Sequence, residues 1–115
     1  MKFMLLLHGD EKLLQANPSE TVSPEFAAFT DAMVKAGALL GGARLRPTSA
    51  ATTVRVKGDR TEVLDGPYAD TREQLGGFYM IEAADLDAAT EWAARCPAAA
   101  VGTVEIRPLW QAPSA

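Results

Sequence analysis

One cysteine and one histidine are present in 115 residues. Cys96 therefore has no partner for an intrachain disulfide, and the fold does not depend on an oxidising compartment. His8 and Cys96 are far apart and show no metal-ligand spacing, so no metal site is expected. Basic residues are also scarce. Eleven Lys and Arg stand against 15 Asp and Glu, a formal charge of -4 that excludes the broad cationic footprint of a nucleic-acid binder. Long apolar runs are missing as well: the longest, Phe3 to Leu7, is too short to span a bilayer, so no membrane partner is expected. A secretory leader would need a longer apolar stretch and a small-residue cleavage site, and the cytoplasm is the expected compartment. Gly41-Gly42 and Gly76-Gly77 match neither a Walker loop nor a dinucleotide loop, so no cofactor is expected.

What remains is ordinary for a globular chain, with 48% hydrophobic and 23% charged residues. The length suits a single domain, expected over 1–109, with a loose tail at 110–115. Lys2 to His8 reads as a strand. Phe3, Leu5 and Leu7 mark one face, Met4 and Leu6 the other, so both faces expect cover. Gly9 to Val22 reads as a loop with room for a helical turn. Ser23-Pro24-Glu25 is a strong helix start, and Phe26, Phe29, Met33 and Val34 then recur at helical spacing up to Gly37. Ala38 to Leu45 reads as a second strand. Thr52 to Lys57 and Thr61 to Leu64 make a hairpin around Gly58-Asp59-Arg60.

Asp65-Gly66-Pro67-Tyr68 is a turn. Gly76 to Ala83 is a strand with Phe78 and Met80 on one side and Tyr79 and Ile81 on the other. Asp85 caps a helix through Arg95 that presents Leu86, Ala89 and Ala93, with Trp92 beside that face. Pro97 ends this helix. Gly102 to Leu109 is the last strand, with Thr103, Glu105 and Arg107 on one face. Trp92 and Trp110 read as packing residues, as does Cys96 at its helix end.

The order β-α-β, hairpin, β-α-β predicts an α+β, ferredoxin-like antiparallel sheet with both helices on one face. The other face would leave a large apolar patch in water. A homodimer with the two sheets face to face resolves this, and the enclosed cleft is where a small-molecule ligand would sit.

Met1 to Glu11, the turn Asp65-Gly66-Pro67-Tyr68, the run Thr71 to Tyr79, and Glu91 to Arg95 followed by Val104 to Pro108 resemble the YCII-related family. The resemblance is to its DGPF-type branch, with tyrosine in place of phenylalanine. It implies a dimeric α+β barrel of ferredoxin-like protomers. In the wider family a histidine and an aspartate are a suggested catalytic pair, and some relatives are lyases acting on chlorinated aromatics. Phe26 stands near the place of that histidine and Cys96-Pro97 in place of its Asp-Pro step, so that mechanism does not carry over. The DGPF branch also resembles proteins encoded beside extracytoplasmic-function sigma factors, which implies a regulatory partner as the rival reading.

Three residues are first candidates for cofactor-independent acid-base chemistry of lyase or isomerase type. His8, the single histidine, is a general base where its face opens on the cleft, set against a hydrogen-bonded histidine at a strand end. Asp65 is an acid-base group or a turn-builder, and Tyr68 offers a phenol to the cleft or seals it with its ring. Arg44, Glu73, Tyr79 and Glu105 are candidate ligand contacts. For Glu73 the alternative is a surface ion pair with Arg44, Arg46 or Arg55, and for Glu105 a solvent-facing sheet edge.

Overall fold

β1, Lys2–Gly9, is the spine of the fold: it pairs antiparallel with β5, Gln74–Glu82, on one side and with β6, Thr103–Pro108, on the other. β2, Leu39–Arg44, completes a four-stranded sheet in the order β2-β5-β1-β6. This computed structural model describes residues 1–14 and 23–111. Arrangement and order are those of a ferredoxin-like α+β protein. The sheet is open, and the described residues form no closed barrel.

Strand parity decides where the core lies. Phe3, Leu5 and Leu7 of β1 are buried, while Met4, Leu6 and His8 are half-buried. The buried set meets two helices, α2 at Pro24–Lys35 and α3 at Leu86–Arg95, through Phe29, Met33, Ala89 and Ala93. Both helices begin where side chains relieve free amides. Ser23 Oγ accepts from the Phe26 N–H at 3.3 Å, and Asp85 Oδ1 accepts from the Ala88 N–H at 2.8 Å. Gly37, at φ 70°, takes the left-handed turn after α2. Trp92 leans its edge on Phe29, with the Arg95 guanidinium 4.4 Å from the indole centroid.

Several local expectations shift. Strand β5 starts two residues earlier than the apolar pattern indicates, at Gln74, because pairing with His8 and Gly9 of β1 brings Leu75 and Gln74 into the ladder. Leu86 and Val34 are exposed, since each sits at the margin of its helix's apolar stripe. Trp110 is fully exposed rather than packed. Pro97 does not simply stop the chain's helical course. It precedes a further short helix, α4 at Ala98–Val101, where a residue without an N–H is harmless. A helical turn, α1 at Glu11–Leu14, follows β1, and Glu11 accepts from the Thr48 N–H at 2.7 Å and from its hydroxyl at 3.0 Å. The expected loop at 15–22 and most of the tail, 112–115, lie outside the described residues.

Strands β3, Thr52–Lys57, and β4, Arg60–Asp65, pair only with each other and stand apart from the main sheet. The two-residue turn Gly58-Asp59 joins them, with Gly58 at φ 63°. Val54 faces Val63, and with Val56 they make an apolar hairpin face; Val56 is 67% exposed.

Candidate functional site

The face of the sheet opposite the helices carries the candidate site. Antiparallel partners share a face, so the register places Met4 beside Met80 and Arg107, Leu6 beside Phe78 and Glu105, and His8 beside Thr103. An apolar centre of Met4, Leu6, Phe78 and Met80 is thus bordered along β6 by the stripe Thr103, Glu105, Arg107. The β1–β5 register slips between Leu7 and His8, which leaves Gly76 as the extra residue. Such a bulge bends a strand and redirects a side chain. Gly102 is needed beside it, because a Cβ there would collide with the His8 carbonyl oxygen.

His8 Nε2 lies 3.0 Å from Glu105 Oε1, with side chains 28% and 44% exposed. The other carboxylate oxygen, Oε2, lies 3.6 Å from Arg107 Nη1. The Thr103 hydroxyl donates to Glu73 Oε1 at 2.8 Å. Next to it, Asp10, Arg72, Glu73 and Val101 line an open groove of about 430 Å³. The structure therefore gathers His8, Glu105 and Glu73 at one end of the open face, linked through β6. A histidine bonded to a carboxylate on one ring nitrogen keeps the other nitrogen for a ligand, and this arrangement can accept and return a proton.

The remaining candidates lie elsewhere. Tyr79 faces the helices: its hydroxyl is 3.0 Å from Thr30 Oγ1 and its ring meets Phe29 edge-on at 5.5 Å. Burial pushes the Tyr79 phenol above its ordinary range, against the opposing effect of the Thr30 bond. Arg44 is exposed at the end of β2, opposite Gly77. Asp65 ends β4, and Tyr68 is 82% exposed beyond it. Neither Asp65 nor Tyr68 is in hydrogen-bond contact with His8. The turn between them has a clear structural task. Gly66 adopts φ 113°, donates its N–H to the Ala51 carbonyl at 2.8 Å and accepts from the Thr53 hydroxyl at 2.8 Å, closing the hairpin base. Cys96 is buried at the end of α3, and burial pushes its thiol up, away from the reactive thiolate. Among the described residues no cluster of His, Cys, Asp and Glu could hold a metal, and no helix is long and apolar enough to cross a membrane.

The pairing of His8 with Glu105 and of Thr103 with Glu73 was not read from the sequence. The available signal was parity. With β1 central and β6 at its side, the polar stripe of β6 must share a face with Met4, Leu6 and His8.

Fold and site together define an α+β protein of ferredoxin-like topology with a polar cluster on the sheet face turned away from α2 and α3. The YCII-related domain family matches residues 1–113, and the chain belongs to that family. An uncharacterized protein of Rhizobium meliloti (strain 1021) is 40% identical over 114 residues, which cover 95% of this chain and 92% of the relative.

Proposed function

We propose that the protein acts as a homodimer whose bare sheet faces meet, and that the enclosed space binds a small organic molecule beside His8. In this reading His8 exchanges a proton with the ligand, in cofactor-independent chemistry of the isomerase or lyase type. The observation that carries it is the His8–Glu105 contact of 3.0 Å on the sheet face turned away from α2 and α3. That distance lies within the roughly 2.6–3.2 Å reach of acid-base partners. Support for the dimer comes from Met4, Leu6, Phe78 and Met80, an apolar group that a second copy would shield and that a soluble monomer would leave in water. Glu73 and Glu105 border the proposed cleft. Asp65 and Tyr68, which make no hydrogen bond to His8, are left out of the proposed step.

The rival reading is a regulatory partner such as a sigma factor. The observation that favours it is the exposed valine face of the hairpin, whose strands pair only with each other.

A thermal-shift screen against small metabolites tests the main reading, because a ligand that binds only the folded form raises the melting temperature. The expected result is a hit whose stabilisation is lost in His8→Ala and reduced in Glu105→Gln. A hit that both variants bind as well as the parent would place the site elsewhere.

A further inference from the structure

We infer that Arg107 is a carboxylate-binding subsite of the bare sheet face, so that the ligand is a small organic carboxylate with an apolar body. The inference rests on the His8 reading above and specifies what His8 meets. Arg107 stands opposite Met4, and Glu105 opposite Leu6, so His8 and Arg107 approach the same carboxylate from its two sides. The two contacts are unequal. Glu105 Oε1 meets His8 at 3.0 Å, whereas Oε2 is 3.6 Å from Arg107 Nη1. Charge-assisted N–H···O bonds run at about 2.7–2.9 Å, so Glu105 holds the guanidinium loosely. Among the described residues Arg107 has no other partner, and it remains 68% exposed. A guanidinium presents a planar fork of donors that matches a carboxylate in two parallel bonds.

The surroundings set the rest of the ligand. From Arg107 the half-buried Met4, Leu6, Phe78 and Met80 lead across the sheet, a floor suited to a ring or short hydrocarbon and not to a second charge. Because both side chains reach one carboxylate, only a single ring or a short chain fits between the ligand's carboxylate and the atom offered to His8. Glu105 would repel a second anion if it stood alone. Arg107 offsets the ligand's charge, while Glu105 is held by the His8 contact at 3.0 Å.

Titration of the protein with sodium benzoate and with its neutral analogue benzamide tests the inference, with the ring signals of the single histidine followed by NMR. Benzoate is expected to bind roughly tenfold more tightly than benzamide, since only a charged partner gains the stronger bonds, and both are expected to move the His8 signals. In Arg107→Gln the preference for benzoate should vanish, and in Arg107→Lys it should survive in part, because charge remains and the fork is lost. Equal binding of the two probes with His8 responding, or a preference that persists in Arg107→Gln, overturns the Arg107 assignment and leaves the cleft reading standing. His8 signals that neither probe moves overturn both.

Discussion

The two faces of one sheet obey different rules. On the helix face Phe3, Leu5 and Ile81 are closed off completely, Leu5 at 0% exposure, and the nearby polar groups are few and partnered, as Tyr79 is by Thr30. On the opposite face Met4, Leu6, Phe78 and Met80 stand outside the buried core and are half-buried, and at the margin Glu105 is hydrogen-bonded to His8 and ion-paired with Arg107. The first face is solved within the protomer by packing. The second has an apolar centre that water disfavours and a polar edge that a pure packing surface would not need. This difference is why the proposed site is placed on the second face, where His8 Nε2 lies 3.0 Å from Glu105 Oε1.

Neighbouring leucines of β1 should separate the two faces most strongly. Leu5→Ala should cost about 2–5 kcal/mol, the range for an emptied site in a closed core. Leu6→Ala, measured at a concentration where the protein is monomeric, should cost under about half as much, since the side chain is already part-exposed. Chemical denaturation of both variants checks this, and equal losses would mean the faces are not distinct. Alkaline pH gives a smaller effect confined to the helix side. Cys96 and Tyr79 both have raised folded-state pKa values, caused first by burial. Below their ordinary values folded and unfolded chains both hold these protons, and stability is complete. Above the thiol's ordinary 9.0 the unfolded chain ionises first, so stability falls until the folded groups ionise too. Cys96 contributes at most about 1.4 kcal/mol per pH unit, and the half-buried Tyr79 less. Denaturation midpoints from pH 7 to 10.5 should decline, and Cys96→Ala should flatten the decline.

Much of the architecture was legible because periodicity and capping are local. The apolar run from Lys2 to His8, the Ser23-Pro24-Glu25 and Asp85 helix starts, and the hairpin around Gly58-Asp59-Arg60 each announce an element from a few residues. Boundaries that depend on a partner strand were less legible, as at Gln74, which joins β5 only because Gly9 pairs with it. The site was half legible. His8 and Glu105 were separate candidates, and 97 positions of sequence separate them. Their union depends on which strands flank β1 and in what register, a long-range fact no local pattern encodes. Asp65 drew attention for a turn whose visible work is done by the Gly66 backbone.

Sedimentation equilibrium of the purified protein beside Leu6→Asp bears most directly on the claim that a second copy covers the bare face. The account predicts a dimer for the parent, and for Leu6→Asp a monomer with an unchanged circular dichroism spectrum, because a charge there breaks the pairing of faces and spares the helix-side core. A parent that remains monomeric at high concentration, or a Leu6→Asp dimer as tight as the parent's, would contradict it.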